Sequence, residues 1–362
     1  RRAISPGPSR NTKAARPRSV RLSIRLSSNP APTPTPAPEM PQEAPEMIEL
    51  VAGGQLPPLE DRLPAEPLTL IRGDGFDQQI GTFGEQMVIG NSGKQQANEF
   101  FLTLNRRCSE TRPNVGKEWQ YSEDGQTLTV YMRRGAKWSD GAPMTADDVA
   151  FWWEAVVLNE TLTPSIPSQW RPGGEVAEFS KLDDYTFEFK FAKSRYYQHH
   201  ILDGTGNKGH QFGSSGNGIW LPRHFFEQLH IDYNPKADDL AKENDLEAWN
   251  QLFAAQLSSH GNYPISFQGG APLASCWIKT QEEITGTVWD RNPYYFKIDS
   301  AGNQLPYIGR ALEKRWEDNQ SHLMMMLAGE FDYETWGVDI GEWPVLWANQ
   351  EKGGYDLWMG GD

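Results

Sequence analysis

Four groups of residues have the types and spacing of known chemistry. Gly204, Gly206 and Gly209 in "GTGNKG" keep the G-x-G-x-x-G spacing of a dinucleotide loop. Such a loop needs a strand before it and a helix after it. The flanks "HHILD" and "HQFGSSGNG" supply neither, so a glycine-rich surface loop is expected. "VIGNSGKQQ" (88–96) resembles a phosphate loop, but Val88 stands where a glycine is needed and Gln95 where Ser or Thr is needed. Of the seven histidines, His199 and His200 are adjacent and point apart on any regular element, and His224 and His230 lie six apart. There is no Cys-x-x-Cys or H-E-x-x-H, so neither a metal nor a cofactor is expected. Glu282-Glu283 and Asp183-Asp184 are acidic pairs that could hydrolyse a glycoside or simply face solvent. No G-x-S-x-G nucleophile motif is present, and no catalytic residue is assigned.

Aromatic content points instead to binding. The chain holds 14 Trp, 12 Tyr and 16 Phe, which supply flat apolar surface with polar tips. Most of them belong to a core; a few exposed ones would meet a ligand such as a sugar or an extended peptide. Met324, Met325 and Met326 read as core filler.

The elements that must position these residues are legible in places. In "QTLTVYMRRG", Leu128, Val130 and Met132 alternate with Thr127, Thr129 and Tyr131, a half-buried strand. "KWSDGAPMTADDVAFWW" (137–153) follows, with a turn at Asp140-Gly141 and a helix start at Thr145. Thr145 serves as N-cap and Asp148 as the third helical residue, a capping box with Asp in place of Glu. Val149, Trp152, Trp153, Val156 and Val157 then form one apolar helix face. "YTFEFKF" (185–191) is a second strand, and "RHFFEQLH" and "NDLEAWNQLFAAQL" are helical, the latter with Trp249, Leu252 and Phe253 inward. "WIKTQEEITGTVWDRNP" reads as two strands of a hairpin or meander. "NQSHLMMMLAGEFDYETW" reads as a helix from an Asn319 cap to Gly329, then a strand. "EMIELVAGGQ" is a short helix stopped at Gly53-Gly54, and "LTLI" (68–71) a strand.

Composition bounds the function further. The chain has 362 residues with 34 basic and 48 acidic side chains. Positions 1–38 hold eight basic residues and no acidic one, leaving 26 basic against 48 acidic in the remainder. The body therefore lacks the basic face that nucleic acid or an anionic membrane surface requires. Residues 1–45 read as a disordered Arg-rich and Pro-rich segment, either a stalk to a membrane anchor or a tail. Cys108 and Cys276 are too few for a disulfide framework, and pairing or two separate buried thiols are both open. No run of 18 apolar residues exists to span a membrane. The chain opens at Arg1 rather than Met, with no signal-peptide core, and reads as a fragment or an uncertain start.

"YSEDGQTLTVYMRRGAKWSDGAPMTADDVAFWW" (121–153) resembles the signature region of the family 5 extracellular solute-binding proteins of ABC transporters, the oligopeptide- and dipeptide-binding family. "EMIELVAGGQLPPLEDRLP", "PRHFFEQLHIDYNPKADDLAKENDLEAWNQLF", "DRNPYYFKIDSAGNQLPYI" and "LAGEFDY" are similar to family segments in the same order, covering about residues 46–362. The resemblance implies an α/β, type II periplasmic-binding-protein-like fold whose two lobes close over a ligand. Lobe I would span 46–305, with an extra subdomain at about 76–195, and lobe II would begin at 306 and be incomplete at Asp362. "GTFGEQ" (81–86) departs from the family pattern, which puts some first-lobe cleft residues in doubt. The acidic residue that commonly holds a peptide amino terminus in the family falls beyond Asp362 and is not carried over.

The function implied is capture of oligopeptides, on the periplasmic or extracellular face of the cytoplasmic membrane, for delivery to ABC permease subunits. A monomer that touches the membrane only through an anchor or the permease is expected, with no catalysis. Some family members bind oligosaccharides, which the tryptophan content suits. A secreted glycosidase and a non-functional fragment are the remaining readings. Trp277, Thr335, Trp336 and Gly337 are the expected ligand-binding residues.

Overall fold

The computed structural model describes residues 42–70, 83–90, 99–105, 108–203, 218–258, 270–334 and 338–357. The glycine motif at 204–209 and the part of the phosphate-loop-like stretch beyond Gly90 lie outside these residues, as does the Arg- and Pro-rich segment up to position 41. All described residues belong to the unit Pro41–Asp362.

The strands are β1 (Leu68–Thr69), β2 (Gly84–Ile89), β3 (Thr103–Leu104), β4 (Thr111–Arg112), β5 (Gly116–Tyr121), β6 (Thr127–Met132), β7 (Glu178–Asp183), β8 (Thr186–Lys190), β9 (Trp277–Glu283), β10 (Gly286–Arg291), β11 (Lys297–Ile298) and β12 (Ile308–Lys314). The helices are α1 (Pro45–Ala52), α2 (Leu59–Arg62), α3 (Ala146–Phe151), α4 (Arg223–Phe226), α5 (Ala237–Glu243), α6 (Trp249–Ser258), α7 (Asn319–Leu327) and α8 (Trp343–Gly353). The mixed α/β architecture expected from the sequence is present, built on two four-stranded sheets.

The first sheet, in order β5-β6-β8-β7, is antiparallel throughout. Leu128, Val130 and Met132 point to its buried face, as the alternation of β6 dictates. Phe187 and Phe189 of β8 join them, and α3 lays its apolar face on the same core. Val149, Trp152, Trp153, Val156 and Val157 are all buried there. The helix does not stay regular: after Phe151 it widens into a π-helical turn, Trp152–Val157. Trp152, Trp153, Trp170 and Phe189 meet in this region, with ring centroids 4.8–5.9 Å apart in edge-on and tilted arrangements.

The second sheet, in order β2-β12-β10-β9, is mixed. β9, β10 and β12 form an antiparallel meander, and β2 then lies parallel to β12. β2 lies before position 306 and β12 after it, so this sheet draws strands from both sides of the expected lobe boundary. Two buried arginines tie the amino-terminal segment to the stretch between β10 and β12. Arg62 donates to the carbonyls of Pro57 (3.0 Å) and Pro293 (2.6 Å), to the Gln304 side chain (3.1 Å), and pairs with Glu43. Arg291 donates to the carbonyls of Pro306 and Tyr307 and pairs with Glu46. Each guanidinium has carbonyl and carboxylate partners, which its burial requires.

Candidate functional site at the carboxyl ends of the parallel strands

In an open α/β sheet, ligands meet the protein outside the carboxyl ends of parallel strands, where the order of connections switches. Among the described residues, parallel pairing occurs at β1–β11 and, over a longer stretch, at β12–β2. β12 leads into α7, and the chain returns at Tyr333 to lie parallel to Ile89 on the far side of β2. β2 is thus the middle of three parallel segments, with β12 on one flank and Tyr333 on the other.

Local sequence sets this crossover. Asp318, rather than Asn319, caps α7: its carboxylate accepts from the Ser321 amide (2.7 Å), and Ser321 Oγ accepts from the Asp318 amide (3.1 Å). Asp318 has the extended backbone of a cap, whereas Asn319 is already helical. Gly329 ends the turn after the helix with φ +68°, where a side chain would also strike the Gly353 carbonyl. The returning segment is then pinned to β2. The Asp332 carboxylate accepts from the Val88 amide (2.6 Å), the Asp332 amide donates to the Val88 carbonyl (2.8 Å), and the Gly90 amide donates to the Tyr333 carbonyl (3.2 Å).

Four side chains gather at these ends. His322 is 1% exposed, and its ring lies flat on Trp316, 3.8 Å between centroids and 8° from parallel. Phe331 meets both rings edge-on. His322 Nε2 stands 3.5 Å from Glu334 Oε2, and the Glu334 side chain is 7% exposed. The Glu334 carboxylate lies over Gly90, where an added methyl group would fall on it. Trp316 remains partly exposed. The group sets a partly exposed indole on an imidazole whose Nε2 faces a buried carboxylate.

The other titratable clusters serve the scaffold. Asp148 accepts from the amides of Thr145 and Arg223 (both 2.9 Å) and from the Trp138 indole (3.1 Å). Burial pushes its pKa up to about 6 against those three donors. The expected capping box is therefore present, with the Thr145 hydroxyl accepting from the Asp147 amide. His224 pairs with Asp140 at 2.7 Å, and that hydrogen bond raises the histidine. Contrary to the expectation for neighbouring residues, His199 and His200 have ring centroids 4.3 Å apart, because a 3-10 turn rather than a regular element carries them. No cluster of three His, Cys, Asp or Glu among the described residues has the placement to hold a metal ion.

Of the acidic pairs, Glu282 bonds to Lys279 and Arg315, which hold it down at about 2, and Asp183 and Asp184 pair with Arg134 and Lys181. Cys108 is exposed, Cys276 is largely covered, and no disulfide joins them. Burial pushes the Cys276 thiol up to about 12. Met326 is buried, but Met324 is exposed and does not fill the core.

Trp277, at the start of β9, is 8% exposed, and its indole donates to the Ile308 carbonyl (3.0 Å) at the amino end of β12. Tyr333 aligns, through Ile89, with Glu313 at the other end of that strand. Five residues of strand, roughly 16 Å, separate the two levels. Thr335, Trp336 and Gly337 lie outside the described residues. Sequence reasoning missed Trp316, His322 and Glu334. The available signal was an acidic residue directly after a helix-to-strand return, "AGEFDYE".

A family model described as bacterial extracellular solute-binding proteins, family 5, middle, matches residues 110–248. The periplasmic alpha-galactoside-binding protein of Rhizobium meliloti (strain 1021) is 30% identical over 313 residues, covering 78% of this chain and 40% of that protein. The periplasmic oligopeptide-binding protein OppA of Escherichia coli (strain K12) is 29% identical over 102 residues, 28% of this chain and 18% of OppA. Among solved structures, an oligopeptide-binding protein OppA aligns with TM-score 0.73 and 29% identity over 87% of this chain and 48% of its own. The binding protein MelB in complex with stachyose, from Agrobacterium fabrum C58, aligns with TM-score 0.66 and 24% identity over 85% of this chain and 45% of its own. The chain thus spans about half the length of these solved structures, and less of the curated relatives. No helix among the described residues is long and apolar enough to cross a membrane.

Proposed function

Because the chain belongs to the family 5 extracellular solute-binding proteins, we propose that it captures an oligomeric solute on the outer side of the cytoplasmic membrane and delivers it to an ABC permease, without catalysing a reaction. The observation that carries this reading is the β12–α7–Tyr333 crossover over β2, which gathers an aromatic surface and a carboxylate at the carboxyl ends of three parallel segments. Lobe I at 46–305 and lobe II from 306 would close on the solute as a clamp.

An α-galactoside oligosaccharide is the first ligand class. The alpha-galactoside-binding protein of Rhizobium meliloti, aligned along 78% of the chain, supports it. The second class is an oligopeptide, supported by the OppA structure at 29% identity. The two are separated by thermal unfolding of the purified protein with stachyose or with a tripeptide-to-pentapeptide pool. A ligand at 100 times its Kd raises stability by about 2.7 kcal/mol. A rise in melting temperature with one class and not the other assigns the ligand. No rise with either contradicts solute capture by this chain.

A further inference from the structure

We propose that Trp316 is a stacking floor for a pyranose ring of the solute, and that His322 is the positioning residue that holds the indole in place. The inference rests on the solute-capture reading above and names the residues that perform it. Trp316 stands two residues past the end of β12, on the side of the sheet where its three parallel segments end. One face of the indole is covered by the His322 imidazole at 3.8 Å and near-zero tilt. The edge-on Phe331 ring, 6.2 Å away, limits rotation about the indole plane. A tryptophan stacked on one side and partly exposed presents a flat apolar surface. A pyranose ring turns a patch of C–H groups to such a surface, and its hydroxyls then need acceptors at the rim.

A carboxylate lies on the far side of the pair. His322 is buried to 1% exposure, its Nε2 has no hydrogen-bond partner, and that nitrogen looks toward the Glu334 carboxylate at 3.5 Å. The imidazole stacks on the indole and turns its Nε2 to the Glu334 carboxylate, which lies over Gly90, where any side chain would displace it. A partly exposed indole face suits the C–H patch of a neutral polyol.

The test is calorimetric titration of the purified protein with stachyose, comparing wild type with Trp316→Ala, Trp316→Phe and His322→Gln, each first shown folded by circular dichroism. Wild type is expected to bind, Trp316→Ala to weaken binding at least tenfold, and Trp316→Phe to recover most of it, since a ring still stacks. His322→Gln should fall between, as the indole loses its backing. Equal affinity in wild type and Trp316→Ala overturns the stacking floor while leaving solute capture intact. Binding of the tripeptide pool in place of stachyose overturns the pyranose assignment. If neither is bound, the solute-capture reading fails, and the stacking floor with it.

Discussion

The antiparallel sheet β5-β6-β8-β7 and the parallel edge at β2, β12 and Tyr333 solve opposite problems. In the first, large apolar side chains lock together: Trp152 and Trp170 are fully buried among other rings, and the buried Asp148 carboxylate has three donors. In the second, backbone comes close at Gly90, and His322 Nε2 is left without a hydrogen bond. The contrast teaches that the stretch with the strongest sequence signature is a scaffold. Its turn and cap are satisfied internally, although the buried Trp152 indole N–H, like His322 Nε2, has no hydrogen-bond partner. The parallel edge differs in leaving Trp316, stacked on His322, partly exposed.

The comparison is most sharply tested where the scaffold is densest. Trp170→Ala removes a ring with centroids 4.8–5.4 Å from those of Trp152, Trp153 and Phe189. The expected loss is about 3–5 kcal/mol, a large part of a domain's stability. Urea unfolding measures it, and a loss under about 1 kcal/mol would show that this core tolerates a cavity.

Asp148→Asn comes next, because an amide N–H would then face amide and indole donors. The expected cost is about 1–3 kcal/mol. The pH dependence has a definite sign. With its folded pKa pushed up to about 6, Asp148 keeps a proton in the folded protein that the unfolded chain has released above about pH 4. Its contribution is greatest below pH 4 and declines as pH rises to 6. The advantage of wild type over Asp148→Asn therefore shrinks across that window, which paired urea titrations at pH 4 and pH 7 detect. An advantage that grows with pH would contradict the assignment.

At the parallel edge, Gly90→Ala should act on binding more than on folding. The methyl group displaces the Glu334 carboxylate, so ligand affinity should drop several-fold while urea unfolding shifts by about 1 kcal/mol. Equal affinity would remove Glu334 from the site. The smallest effect is expected at Glu282→Gln. Lys279 and Arg315 hold Glu282 down, so its contribution is present above pH 4.5 and lost as pH falls toward 2. The group is largely exposed and screened by solvent, so its removal should cost under about 1 kcal/mol at neutral pH.

The scaffold was legible because its rules are local. Alternation placed Leu128, Val130 and Met132 inward, and helical spacing placed Val149, Trp152 and Val156 on one face. The π-helical turn at Trp152–Val157 was not legible, since it follows from fitting several indoles into one core. Asp318 and Asn319 are both good caps, and only backbone geometry decides between them. The candidate site was mostly hidden. His322 stands four residues before Met326 on α7, a spacing that reads as core. Its meeting with Trp316 and Glu334 depends on a crossover whose partner strand, β2, lies more than 200 residues earlier in the chain. The family, by contrast, was legible in "KWSDGAPMTADDVAFWW", which lies within residues 110–248, the stretch that matches the family model.

The central claim is that solute is held at the carboxyl ends of the parallel strands and not on the antiparallel sheet. Amide hydrogen exchange with and without saturating ligand tests it most directly. The account predicts added protection in peptides covering Val88–Gly90 and Phe331–Glu334, and none in those covering β6 and β8. Protection confined to the signature stretch 137–153, with no change at Gly90 or Glu334, would contradict it.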